Sequence, residues 1–363
     1  MERQENIKPS RKNIRVSFLK RFARNKLAVL GVIVIFSASI VSLLGYLITP
    51  DTSSYANEQH IEIAAKKPGF TINMLTVSLD ISEKERGWYE RMLFGKLPSV
   101  QYIPLDSFRY EGKEIVYRVF GTKVYLKQGS LGVHIIKRMY LLGTDRFGRD
   151  LLSRLIIGTR ISLAVGLIAV IISLIIGVAL GAIAGYYKGA TDTIIMWFVN
   201  VNWSVPTLLM VITITLIIGK GFWQIFIAVG LTMWVDVARV VRGQVLSIRE
   251  REYITACKAL GFGDARILLR HVLPGAIGPV IIIAASNFAT AILIEAGLSF
   301  LGVGVQPPIP SLGTMIKEHY AYIILNSTHL ALLPGFAIML LVLSFNFIGN
   351  GLRDAFDVKD VNV

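Results

Sequence analysis

Side chains able to do chemistry are sparse in this chain and badly spaced for it. The five histidines, His60, His134, His271, His319 and His329, are scattered without metal-ligand spacing. The single cysteine, Cys257, excludes an internal disulfide framework and any cysteine-rich metal site. The run "GKGF" at Gly219–Phe222 lacks the spacing and the hydroxyl residue of a phosphate-binding loop. Gly297-Leu298-Ser299, with His329 further on, superficially fits an intramembrane serine protease. Ser299, however, falls at the outer edge of an apolar run, in a loop-like motif. We therefore expect no catalytic residue, no metal and no cofactor. Energy for any uphill work then has to come from a partner chain or an ion gradient. Gradient-driven carriers place ionisable groups within their spans, and here only Asp236, Arg239 and Glu295 come near that description. Asp236 and Arg239, three residues apart, predict an interfacial ion pair.

One charged segment stands out. "REREYITACKALGFGDARILLRHVLP" (Arg249–Pro274) reads as two short helices about a Gly-Phe-Gly turn. In the first, Tyr253, Ile254, Cys257 and Leu260 share a face. Gly261 suits a left-handed helix stop. Asp264 suits an N-cap for a second helix over Ala265–Val272, and Pro274 is expected to end it. That second helix carries apolar knobs at Ile267, Leu268 and Leu269 and cations at Arg266 and Arg270. A basic amphipathic segment often rests on lipid headgroups. Here the Gly turns, the N-cap and the Pro stop fix a shape, and a shaped helix of mixed charge fits a protein groove.

The elements that must hold this segment are apolar. Of 363 residues 53% are hydrophobic and 17% charged, with mean hydropathy +0.59; a soluble chain carries about a quarter charged residues. The net charge of +14 sits mainly beside apolar runs, which fits membrane orientation better than nucleic acid. After a basic N-terminus over residues 1–26, Leu27–Pro50 is uncharged and long enough for the roughly 20 residues of a span. Further spans are read at Ile161–Tyr187, Thr193–Gly219, Gly221–Val235 extended past Asp236, Val272–Ile294 starting somewhat after its prolines, and the half of Tyr320–Leu352 from about Leu330. Six spans put both termini on one side, and the basic loop 237–275 on that same, cytoplasmic side. Residues 51–142 differ: charges mix with aromatics, and "EIVYRVFGTKVYLKQ" alternates like two strands joined at Gly121-Thr122. This insert is expected outside the cytoplasm, as a cap or a docking surface for a soluble partner.

These residues carry a resemblance. Glu252, Ala256, Gly261, Leu273 and Pro274 fit the "EAA" loop of permease subunits of binding-protein-dependent ABC importers. The Gly261-to-Pro274 spacing is similar to the oligopeptide/dipeptide/nickel branch. So are "LGTDRFGRDLLSRLIIGTRISL" (Leu142–Leu163), "EAGLSFLGVGVQPPIPSLG" (Glu295–Gly313) and "PGFAIMLLVLSFNFIGNGLRDAFD" (Pro334–Asp357). The N-terminal span followed by "GTDRFGRD" looks like the C-type subunit. Departures are Thr255 where the motif has its first acid, Trp197 and Asn200 where the branch often has Arg and Asp, and Asn350 in place of an Asp. The insert is longer than the branch normally shows, without a recognised match.

The resemblance implies an all-α polytopic membrane protein with a type I importer fold of six transmembrane helices and a partly β insert. It lies in a bacterial cytoplasmic membrane, with a permease core over 143–352 and a tail at 353–363. Implied partners are a homologous permease, two ATP-binding-cassette ATPase subunits and an extracytoplasmic solute-binding protein, in lipid and without nucleic acid. Peptides are the expected cargo, with nickel or another small solute the alternative. Coupling to the ATPases is expected from Glu252, Ala256, Gly261, Asp264, Arg266, Leu268, Arg270, His271, Leu273 and Pro274, and a translocation path from Asn200, Asn202, Pro206 and Glu295.

Overall fold

Away from water a backbone must satisfy its own N–H and C=O groups, and a charge-free apolar run does so as a helix. The structure is a computed structural model and describes residues 11–78, 87–97, 100–111, 114–119, 122–127, 134–219 and 221–356. Gly121, Lys220 and most of the tail expected at 353–363 lie outside the described residues.

Helix α1 (Arg11–Arg24) is basic and stops at Asn25, whose side chain accepts from the Ala28 N–H at 3.1 Å to cap α2 (Lys26–Leu43). A single turn, α3 (Gly45–Ile48), follows. The insert holds β1 (Phe70–Ser78), α4 (Trp88–Phe94), β2 (Val100–Leu105), β3 (Ser107–Glu111), β4 (Glu114–Val119), β5 (Thr122–Lys127) and β6 (His134–Tyr140). They form two antiparallel three-stranded sheets, ordered β2-β1-β6 and β3-β4-β5, joined by shared packing of Leu75, Leu105 and Tyr117. The alternation over 114–127 is thus a β4–β5 pair, with Val119 opposite Thr122.

The helical core comprises α5 (Leu151–Tyr187), α6 (Gly189–Trp203), α7 (Thr207–Ile218), α8 (Phe222–Arg249), α9 (Glu252–Ala259), α10 (Asp264–Ile267), α11 (Leu273–Leu301), α12 (Leu312–His319) and α13 (His329–Phe356). Helices α2, α5, α8, α11 with its lead-in from Asp264, and α13 are long and apolar enough to cross a membrane; α6 and α7, bent by 94°, make a sixth span if taken together.

Three boundaries differ from expectation. Helix α5 starts ten residues before Ile161, because Asp150 caps it by accepting from the Ser153 N–H at 2.8 Å. The span expected over Thr193–Gly219 is broken at Ser204–Pro206, where Pro206 offers no N–H and restricts Val205. Pro274 does not end the helix before it. A π-turn over Leu268–Val272 widens the backbone, and Pro274 enters the first turn of α11, where a missing N–H costs little. The helix then runs on through Pro279 as well.

Helix α5 lies against α8 along a stripe of glycines, as its spacing at 177, 181 and 185 allows. A Cβ on Gly181 would fall 2.5 Å from the Ala238 carbonyl oxygen, and one on Gly177 2.5 Å from the Val237 Cβ. Val237, Val241, Val245, Ile254, Ile267 and Val272 fill one core at the loop end of this pair. Val165, Phe226, Val229 and Leu298 fill another nearer the insert.

Candidate coupling site

The loop between α8 and α11 is built outward from buried anchors. Arg251 is extended and starts α9; Gly261 ends it with φ +78°, a left-handed conformation that disfavours any side chain. Ile254, Ile267 and Leu268 turn into the core under the loop. Leu268, expected as a surface knob with Ile267, is therefore a foundation instead, and of the three apolar knobs only Leu269 is exposed, at 64%. Leu260 and Tyr253 from α9 are exposed too.

Asp264 is not the cap. Gly263 occupies that position, and Asp264, first residue of α10, accepts a 2.7 Å hydrogen bond from the Tyr186 hydroxyl. Tyr186 is the penultimate residue of α5, 3% exposed, and the cations of Arg249 and Lys258 lie 5.7 and 5.6 Å from its ring centroid. One aromatic side chain thus joins α5, the end of α8, α9 and α10. Sequence spacing gave no sign of it. The Phe262 and His271 rings stack with centroids 6.0 Å apart, Arg266 covers Phe262 at 5.6 Å, and the Tyr253 hydroxyl donates to the His271 carbonyl at 3.4 Å. The turn is a rigid body.

Its outer surface is unspent. Glu252, Thr255, Ala256, Arg266, Arg270 and Pro274 are all exposed, Leu273 is half-buried against the core, and among the described residues no ion pair engages Glu252, Arg266 or Arg270.

The four expected path residues divide. Asn200 and Pro206 are exposed at the α6–α7 break, with Asn202 half-buried beside them. Asn200 accepts from Arg239 Nη2 at 2.9 Å. Glu295 is elsewhere: it is fully buried and accepts from the hydroxyls of Ser162 at 2.9 Å and Ser299 at 2.7 Å, so it ties α5 to α11. That bond also answers for Ser299, whose hydroxyl serves a carboxylate and not a histidine. Asp236 and Arg239 do not pair. Trp203 stands between them, its indole N–H donating to Asp236 at 3.3 Å and its ring centroid 3.5 Å from the Arg239 guanidinium.

At the opposite end of α5 lies a charge network that spacing alone did not reveal. Asp145 accepts from Arg149 Nε at 2.5 Å, and Arg149 Nη2 donates to Glu318 at 2.8 Å. Arg154, 2% exposed, sits 3.6 Å from Asp145 and 3.9 Å from Glu318. His319 donates from Nδ1 to the Met315 carbonyl, 2.7 Å away, and burial of its ring holds its pKa below the usual 6.5. Asp145, Glu318 and His319 are near enough to share a cation. Both carboxylates, however, are already neutralised by arginines, so the set fits an ion-pair knot and not a metal centre. Beside it, burial raises the pKa of Glu58, but His60 and Arg138 outweigh that and leave it low; Arg138 in turn lies 5.3 Å from the ring centroids of both Tyr102 and Tyr140.

Comparison with known proteins gives the family. Residues 177–359 match the family described as binding-protein-dependent transport system inner membrane component, and residues 16–68 match the N-terminal TM domain of oligopeptide transport permease C. The dipeptide transport system permease protein DppC of Lactococcus lactis is 32% identical over 341 residues, 94% of this chain and 89% of that protein. The glutathione transport system permease protein GsiD of Pectobacterium atrosepticum is 41% identical over 218 residues, 60% of this chain and 72% of that one. Among solved structures, the inward-facing MetNI methionine ABC transporter is similar with a TM-score of 0.48 and 19% identity, over 57% of this chain and 98% of its own. A family match over half the chain and a relative aligned along nearly all of it identify the protein as a member of the binding-protein-dependent transport system inner membrane component family.

Proposed function

We propose that this chain is one of two permease subunits of a type I ATP-binding-cassette importer that carries peptides. The other members are a homologous permease, two ATPase subunits beneath the α9–α10 loop, and a solute-binding protein on the insert side. Both termini and the loop then lie in the cytoplasm, as the basic flanks of α2 and the loop favour. The carrying observation is the loop itself: a rigid turn, anchored by Ile254, Ile267 and Leu268, that leaves Glu252, Arg266, Leu269 and Arg270 unspent on its outer surface. A chain with no nucleotide motif receives work there. Motion of the loop reaches α5 through Tyr186–Asp264 and α11 through the π-turn, and rocking of those helices alternates access. Peptide cargo is favoured by the relatives named for dipeptide and oligopeptide transport.

The pathway runs past the α6–α7 break. Irregular backbone at membrane depth is tolerated only where protein or water covers it. Ser204, Val205 and Pro206 are exposed in this chain, as is the charge of Asp236 beside them. That face is therefore closed by the partner permease around an aqueous path lined by Asn200, Asn202 and Pro206.

The test is Arg266→Asp with Leu269→Asp, followed by co-purification with the ATPases and assay of ATP hydrolysis stimulated by the loaded binding protein. We expect lost association or lost stimulation with the permease pair intact. Unchanged assembly and unchanged stimulation would show that this loop is not the coupling element.

A further inference from the structure

Two arginines, one turn apart on α8, face α6 and meet different partners. Arg242 is satisfied: its Nε and Nη2 donate to Asp192 Oδ1 and Oδ2 at 2.6 and 2.7 Å, the two-pronged geometry that matches a carboxylate. Among the described residues Arg239 pairs with no carboxylate. It meets the Asn200 amide oxygen and the face of Trp203, and its Nε is buried without a partner. Asp236 carries the opposite charge one turn further along, and its described partner is the Trp203 indole N–H. Thus a cation and an anion on one open face are held apart by an indole placed between them.

An unpaired charge at membrane depth is costly and marks a path for polar cargo. With α6 and α7 taken as one span, the 15 residues of α6, about 22 Å by helical rise, carry the break beside Trp203 into a hydrocarbon core of about 30 Å. Broken helices at such depth supply binding stations in transporters. An arginine that served lipid phosphate would extend toward the interface, whereas Arg239 folds back on Trp203 and Asn200. Asp236 would also repel an anionic headgroup. A short peptide, with one carboxylate and one ammonium, complements both charges.

We propose that Arg239, set on Trp203 beside Asn200, is a carboxylate-binding station on the translocation path, which takes the C-terminal carboxylate of a zwitterionic peptide while Asp236 faces its ammonium group. This rests on the peptide-permease reading above. The outer edge of the Arg239 guanidinium supplies the donors, its Nε being buried. Trp203 keeps Asp236 from quenching the cation between passages, so the site is open to each arriving substrate.

The test uses the complete importer in proteoliposomes, with peptide uptake and ATP hydrolysis followed together. In a Cys257→Ser background, Arg239→Cys should cut uptake per ATP by about tenfold, the scale of one charge-assisted hydrogen bond. Treatment with a thiosulfonate carrying a primary ammonium, a cation with N–H donors, should restore uptake; reagents carrying a sulfonate or a plain methyl should not. Unchanged uptake in Arg239→Cys, or equal rescue by the methyl reagent, would overturn the proposal, the latter by showing that only space is being filled. Asp236→Asn, exposed and isosteric, should lower uptake without lowering assembly. If Arg239→Cys does not assemble, that variant decides: wild-type uptake by Asp236→Asn overturns the station. Rejection of peptides of every length by the unmodified importer would instead sink the peptide reading itself.

Discussion

The two ends of α5 treat charge in opposite ways. At the insert end, Asp145, Arg149, Arg154 and Glu318 are buried or nearly so and are spent on one another. At the loop end, Glu252, Arg266 and Arg270 are exposed, and among the described residues none of them is engaged in an ion pair. Charges that pair internally hold a shape; charges left open at a rigid surface are available to another chain. The same helix carries both ends, from Arg154 in its first turn to Tyr186 at its last, 32 residues or about 48 Å apart by helical rise. Glycines at 177, 181 and 185 fasten it to α8 in between. A rod fixed at one end and exposed to force at the other is what a rocking subunit needs.

This contrast is broken most severely by removing the centre of the knot. Asp145→Ala leaves Arg149 and Arg154 buried without their shared carboxylate, which costs about 3–5 kcal/mol and should abolish assembly or strongly lower the melting temperature of the purified complex. Arg270→Ala on the loop should shift the melt by no more than about 0.5 kcal/mol while reducing ATPase stimulation. Equal melting losses from the two changes would erase the distinction. Next in size is Gly181→Val. Its side chain meets the Ala238 backbone, which cannot withdraw without parting α5 from α8, so a loss of about 1–3 kcal/mol is expected in the same melt; Gly243, with nothing within 4 Å of an added Cβ, is the control.

What sequence could reveal divides along the same line. The first span, the apolar runs, the β4–β5 alternation and the left-handed Gly261 are local, set by periodicity and by one residue's allowed φ, and each is present in the structure. The burial of Leu268 is not legible, because Ile267, Leu268 and Leu269 are all apolar and only the core beneath decides which of them stays exposed. Pro274 was misjudged because a π-turn removes the clash a regular helix would suffer. The knot joins Arg149 to Glu318 across 169 residues, and Trp203 reaches Asp236 across 33, separations at which no local rule operates. Of the residues expected to couple the loop to its partners, Glu252, Ala256, Gly261, Asp264, Arg266, Arg270 and Pro274 are exposed, His271 and Leu273 are half-buried and Leu268 is buried; of those expected along the path, Asn200, Asn202 and Pro206 are gathered at the break, while Glu295 is buried among hydroxyls.

Tyr186→Phe sharpens the comparison from the loop side. The ring stays beneath Arg249 and Lys258, and only the hydrogen bond to Asp264 is lost. Stability should fall by about 1 kcal/mol. If the bond transmits motion, uptake per ATP hydrolysed falls as well, while co-purification of the ATPases is retained. A melt shift with unchanged coupling would make Tyr186 a packing residue only.

The knot can also be tested through pH. His319 faces Asp145, Glu318 and Arg149, and its folded pKa lies below the ordinary 6.5 because burial disfavours the imidazolium more than the two acids support it. The unfolded chain then binds the proton first. Stability is complete above 6.5 and is lost as pH falls below it, by at most about 1.4 kcal/mol per pH unit for one proton. Glu58 acts in the same direction at lower pH, since its folded pKa lies below 4.5. Melts of the complex between about pH 7.5 and 5.5 should therefore decline for the unmodified protein, and His319→Gln, which cannot take the proton, should flatten that decline without removing the loss near the carboxylate range. A slope that survives His319→Gln would move its origin away from the knot. An unmodified protein that gains stability on acidification would show instead that the imidazolium is accommodated there, with Asp145 and Glu318 stronger than the burial that opposes them.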